Sequence, residues 1–133
     1  MKKIRRFFIL ICLLLPCAIC MGQGGTQDVF APISKYLAQG NAEALSAWFS
    51  DNLQISVISQ EITASKSQAR QIVKSFFESY TPRSFNISHT AGRSNMKYAL
   101  GELNAGGEIF SVTIFVSVKD GTYKIQQLSI ERI

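Results

Sequence analysis

The stretch "VTIFVSVKDGTYKIQQLSI", Val112–Ile130, places an Asp-Gly pair between two runs of alternating apolar residues. Asp-Gly is a strong signal for a two-residue hairpin, because both turn positions need a left-handed backbone. A tight turn at Asp120-Gly121 sets Lys119 opposite Thr122, Val118 opposite Tyr123 and Val116 opposite Ile125. Val112, Ile114, Val116 and Val118 then share one apolar face. On the returning strand Leu128 and Ile130 have the wrong parity for that face unless one extra residue is inserted near Gln126 and Gln127. A β-bulge there brings Leu128 to Ile114 and Ile130 to Val112, and it bends the strand. The expectation is a curved antiparallel sheet whose concave side needs a cover.

The cover is legible upstream. Ser65 and Gln68 of "SKSQ" form a capping box. Behind them Ala69, Ile72, Val73, Phe76, Phe77 and Tyr80 recur at helical spacing until Pro82 stops the run. Earlier, Val29, Phe30, Ile33 and Leu37 predict a helix capped by Asp28, with Pro32 in its first turn and Gly40 ending it. Asn41 caps a second helix with Leu45, Trp48 and Phe49 on one face, broken at "SDN". Leu53, Ile55 and Val57 then alternate with Gln54 and Ser56 in a strand pattern. Everything after Pro82 reads as strand, about four long strands in all.

The middle hairpins rest on loop lengths. A three-residue loop at "AGG" puts Met96, Tyr98 and Leu100 on the apolar face and Glu102 beside Phe110. Pairing Ala91 with Met96 then sets His89 opposite Tyr98 and Phe85 opposite Glu102. In this register His89, Tyr98 and Glu102 look into the concavity.

"YLAQGNAEALSAWFSDNLQISV", followed by "SKSQARQIVKSFFESY" and the strands, resembles the nuclear transport factor 2-like superfamily. Gly40, Asn41, Ala44, Leu45, Phe49, Asp51, Phe76 and Phe77 stand where that pattern has its helix corner, acidic position and paired aromatics. More narrowly, a leader plus one compact domain is similar to a small exported bacterial family, domain of unknown function 4783. The resemblance implies a cystatin-like α+β cone, a curved antiparallel sheet packed against N-terminal helices with a pocket at its wide end. It brings no chemistry, since members include isomerases, dehydratases, transport adaptors and plain binding modules. Dehydratases of this fold pair a histidine with an aspartate, so His89 with Asp51 or Glu102 is the nearest equivalent here.

The N-terminus carries an address. Lys2, Lys3, Arg5 and Arg6 precede an apolar run from Phe7 to Leu15, then Pro16 and small residues, the layout of a secretory leader. The run to Met21 is shorter than the ~20 residues of a spanning helix. Cleavage after Gly22 fits better than an uncleaved anchor, which gives a leader of residues 1–22 and one domain over residues 23–133. Cys12, Cys17 and Cys20 all leave with the leader, so the exported domain has neither disulfide nor thiolate chemistry. Lipidation is the weaker reading, because Ile11, Pro16 and Ile19 precede the three cysteines where a small residue is needed. Periplasmic or extracellular residence follows, with no stable membrane span after cleavage.

Four of the 14 basic residues also leave with the leader, so ten remain against nine acidic ones and the net charge falls from +5 to about +1. Without a basic stripe, nucleic acid is excluded as a partner. One histidine and no mature cysteine exclude the usual zinc sets, and no residue pattern calls for a cofactor. His89, Asp51 and Glu102 are the candidates for acid-base work, though a sole strand histidine is more often a surface or hydrogen-bonded residue. Trp48, Tyr80 and Tyr98 are candidate pocket residues, against plain core packing. Asn86-Ile87-Ser88 matches the glycosylation triplet but falls in a predicted strand. The face bearing Ser111, Thr113, Phe115 and Ser117 is a solvated surface or a sheet-to-sheet homodimer contact. The expected function is an exported, non-catalytic module binding a small ligand or a protein. The alternatives are a small lyase or isomerase acting in the cone, and a dimeric structural module.

Overall fold

The computed structural model describes residues 29–133, so the expected leader with its cysteines and the expected Asp28 cap lie outside the described residues. Three helices and six strands follow in the order α1 (Phe30–Gln39), α2 (Ala42–Ser46), β1 (Phe49–Val57), β2 (Gln60–Ser65), α3 (Lys66–Ser79), β3 (Pro82–Gly92), β4 (Met96–Ala105), β5 (Glu108–Lys119) and β6 (Thr122–Arg132). The strands form one sheet in the order β2-β1-β6-β5-β4-β3. Neighbours are antiparallel except β1 and β6, which run parallel. The expected sheet of about four antiparallel strands is thus corrected to a six-stranded mixed sheet. Its four long strands, β3 to β6, are extended by the β1–β2 hairpin.

The β5–β6 hairpin has the expected pairs at Lys119 with Thr122, Val118 with Tyr123 and Val116 with Ile125. Its register shifts between Phe115 and Val116, so Gln126 is the unpaired residue and Leu128 and Ile130 return to Ile114 and Val112. All four of those side chains are fully buried. The capping box at Ser65 and Gln68 opens α3 in both directions, and α3 buries Ala69, Val73, Phe76 and Phe77 against the sheet. Phe110 lies edge-on to Phe76 at 5.1 Å between ring centroids, so the concavity behind α3 is filled with aromatic core.

Two local expectations are corrected. The second helix stops at Ser46, and Phe49 opens β1 opposite Ile125, so "SDN" lies inside a strand. The turn between β4 and β5 has two residues, Gly106 and Gly107, both at positive φ, with Ala105 paired to Glu108. One residue fewer in the loop inverts the parity of all of β4. Leu103, Gly101 and Ala99 now face Phe110, Val112 and Ile114 on the core side. Met96, Tyr98, Leu100 and Glu102 turn to the outer face beside Ser117, Phe115, Thr113 and Ser111. The β3 register moves with them: Phe85 pairs with Leu103, Ala91 with Tyr98 and His89 with Leu100, after a register shift between Ile87 and His89. The core side of β4 is small because its neighbours stand close. A Cβ on Gly101 would sit 2.6 Å from both the Phe85 ring and the Asn86 carbonyl oxygen.

Candidate functional site

The β1–β2 hairpin turns at Ile58 and Ser59, whose φ values of 47° and 67° are those of a type I′ turn. A left-handed backbone is a genuine outlier for a β-branched residue such as isoleucine. Three contacts to β6 hold it in place. The Ile58 N–H donates to the Ile130 carbonyl at 2.8 Å. The Glu131 carboxylate accepts from the Ser59 N–H at 2.7 Å and from the Ser56 hydroxyl.

Between this hairpin and α3 the chain leaves a groove of about 460 Å³. Alternation along β1 and β2 sends Ile55, Val57 and Ile62 to the helix side, and the strained turn adds Ile58. Helical spacing on α3 brings Ile72 and Phe76 to face them. Gln60, Ser75, Ser79 and Tyr80 supply the polar part of the lining. A second hollow of about 410 Å³ shares Ile62 and Ile72 and runs on toward the start of α3. Ile62, at 46% exposure, stands where the two meet.

Tyr80 closes one end of the groove. Its ring packs on Phe76 and Phe110, at 5.2 and 5.1 Å between centroids. Its hydroxyl accepts a 2.7 Å hydrogen bond from Arg132, which also pairs with Glu108 at 3.0 Å. The hydrogen bond to Glu108, its charge and then Tyr80 raise the Arg132 pKa above its ordinary value.

Of the residues the sequence singles out, Tyr80 lines the groove. Trp48 is half-buried against the core in the turn before β1. Tyr98 lies on the outer sheet face with its ring edge-on to His89, 6.1 Å between centroids. His89 and Glu102 are exposed on that same face, and Asp51 is exposed on β1, three strands from Glu102 and four from His89 in the sheet. Asp51 instead borders a small hollow of about 260 Å³ with Lys66, Lys119 and Lys124. The structure therefore brings His89 near Tyr98, outside the concavity, and keeps both away from Asp51. Asn86 is exposed on the same outer face, opposite Glu102. The groove residues missed in the sequence, above all Ile58, Ile62 and Ile72, had one available signal. Ile62 and Ala64 continue a period-2 pattern that reads as a strand once Ile58-Ser59 is taken as a two-residue turn.

Among the described residues no group of three His, Cys, Asp or Glu side chains could hold a metal ion, and no helix is long and apolar enough to cross a membrane.

The helices on one face of this curved sheet define a nuclear transport factor 2-like, cystatin-like α+β fold. An NTF-2 like protein of unknown function from Silicibacter pomeroyi superposes with a TM-score of 0.58 at 14% identity, over 75% of this chain and 86% of its own. Residues 30–131 match the model of a domain of unknown function, DUF4783, and the chain belongs to that family. A DUF4783 family protein from Bacteroides uniformis shares 23% identity with a TM-score of 0.77, covering 80% of this chain and 98% of its own. Its counterpart from Bacteroides ovatus shares 22% with a TM-score of 0.76, over 81% and 98%. Among curated proteins no significant match is found.

Proposed function

We propose that this protein is an exported, non-catalytic binding module that takes a small apolar ligand in the groove between α3 and the β1–β2 hairpin. The observation that carries the reading is the make-up of the groove. Its volume falls in the range of small-molecule sites, and seven aliphatic or aromatic side chains, Tyr80 among them, line it with a few neutral polar groups around them. A lyase or isomerase would need an acid and a base facing the ligand. The lining offers one amide, two serine hydroxyls and a tyrosine already engaged by Arg132. Export rests on the leader, and a binding module outside the cytoplasm suits a domain without cysteines.

The test uses N-phenyl-1-naphthylamine as an uncharged apolar probe. The folded protein should enhance its fluorescence saturably, and Ile72→Lys, which puts an ammonium into the groove from a half-buried position, should abolish the enhancement while the circular dichroism spectrum is kept. A probe signal absent from the wild type, or untouched by Ile72→Lys, overturns the reading.

A second reading is favoured by the corrected β4 parity. Tyr98, Leu100 and Met96 join Phe115 on the outer sheet face, which makes that face a more apolar surface for docking another protein than the sequence pattern indicated.

A further inference from the structure

We propose that β2 pairs edge to edge with β2 of a second copy of this chain, antiparallel about a two-fold axis at Ile62. This surface is distinct from the outer face and shares Ile62 with the groove lining. β2 is one end of the sheet, and Gln60–Ser65 carries neither proline nor lysine to blunt that edge. The opposite edge, β3, begins with Pro82, is broken by a register shift and is covered by α1.

The phase of the hairpin fixes what the free edge offers. A two-residue turn makes Val57 and Gln60 a hydrogen-bonded pair, so Ile55 with Ile62 and Leu53 with Ala64 are bonded as well. The Ile58 N–H, which reaches Ile130 on the β6 side, obeys the same phase. The N–H and C=O groups of Glu61 and Thr63 therefore point away from β1, into the open edge.

Only one two-fold register suits those groups. With the axis at Ile62, Glu61 of each copy faces Thr63 of the other as a hydrogen-bonded pair, and four backbone bonds form. The two Ile62 side chains meet as a close non-hydrogen-bonded pair on the helix side, covering a residue that is 46% exposed in the single chain. An axis at Glu61 would set two carboxylates directly opposite one another. An axis at Thr63 would need the Ser65 N–H, which already donates to Gln68 in the capping box. Because the two hollows of each chain meet at Ile62, the assembly joins those of both copies across the axis. The contact is isologous and closed, so it uses up the edge on both chains and cannot propagate.

Sedimentation velocity of the exported protein from micromolar to millimolar concentration tests this. The wild type should dimerise reversibly. Thr63→Glu creates two like-charge pairs across the axis and Thr63→Lys two opposite-charge pairs, so the dimer constant should weaken in the first and tighten in the second, each by roughly fivefold. Glu61→Lys combined with Thr63→Glu restores opposite pairs with the signs exchanged and should be as tight as Thr63→Lys. Thr63 is exposed, and thermal melts confirm that each variant folds. A monomer at every concentration overturns the proposal. So does a dimer whose constant ignores these charges or shifts the same way in Thr63→Glu and Thr63→Lys, because such a dimer forms through another surface such as the outer face.

Discussion

Ser59→Gly should make this protein more stable. Ser59 sits at φ 67° in the Ile58-Ser59 turn, a region that costs an L-residue roughly 1–2 kcal/mol and glycine almost nothing. Its side chain is exposed and accepts or donates no hydrogen bond; the bond to Glu131 uses the backbone N–H, which glycine keeps. Against the gain stands the larger entropy of an unfolded chain containing glycine, about 0.4–1 kcal/mol. The balance is a stabilisation of about 0.5–1 kcal/mol, or a rise in Tm of roughly 3–6 °C for a domain of this size. Ile58→Gly relieves the same kind of strain at φ 47° but discards a half-buried side chain, worth about 1–2 kcal/mol, and should come out neutral or destabilising. Urea titration separates the two: the midpoint should rise for Ser59→Gly and stay or fall for Ile58→Gly, at unchanged slope. A Ser59→Gly protein less stable than wild type would refute the idea that the turn stores strain held by Glu131 and Ile130.

Deleting Gln126 removes the bulge and throws Leu128 and Ile130 to the outer face, each costing about 2–5 kcal/mol. Together they approach the whole stability of a domain, so the deletion should show no cooperative melt by circular dichroism, whereas Gln126→Ala should melt within a few degrees of wild type. Export itself is tested by mass mapping of protein recovered outside the cytoplasm, which should place Gln23 at the N-terminus; a lipid on Cys20 would refute leader cleavage and tether the domain to a membrane.

The contrast between the hairpins shows what made parts of this fold legible. At Asp120-Gly121 the turn chemistry states its own register, and the clash of parity at Leu128 and Ile130 forces the bulge, so sequence and structure agree residue by residue. At Gly106-Gly107 the preceding Ala105 leaves the loop length open. The hydrophobic pattern then favours the wrong answer, because Met96, Tyr98 and Leu100 are larger than Ala99, Gly101 and Ala105. The smaller set wins because the core side of β4 lies too close to Phe85 for anything larger at Gly101. Tertiary packing overrode residue size, and His89, Tyr98 and Glu102 left the concavity with that one residue. The β1–β2 hairpin gave no turn signal, since Ile-Ser lacks the glycine or asparagine that a type I′ turn prefers, and the alternation of Ile62 and Ala64 is too short to show a strand without it. The groove was hidden for the same reason: half of its wall stands on that hairpin.

That hairpin also concentrates the departures from what packing alone would select. It holds a strained isoleucine at its tip, an edge along β2 with no strand beside it among the described residues, and a half-exposed Ile62 between two hollows. Each costs stability or solubility on its own, and a sequence serving only the fold would relieve them with Asn-Gly at the turn and a proline or lysine at the edge beside Glu61. The start of α3 and the β4–β5 and β5–β6 turns obey the local rules, with a capping box, a Gly-Gly turn and an Asp-Gly turn. Strain that clusters in one element while the rest is regular points to function at that element. Here the strained tip sets Ile58 over the groove, and the open edge leaves Ile62 free to meet its partner. The binding reading and the pairing of copies therefore share a single physical origin in the β1–β2 hairpin.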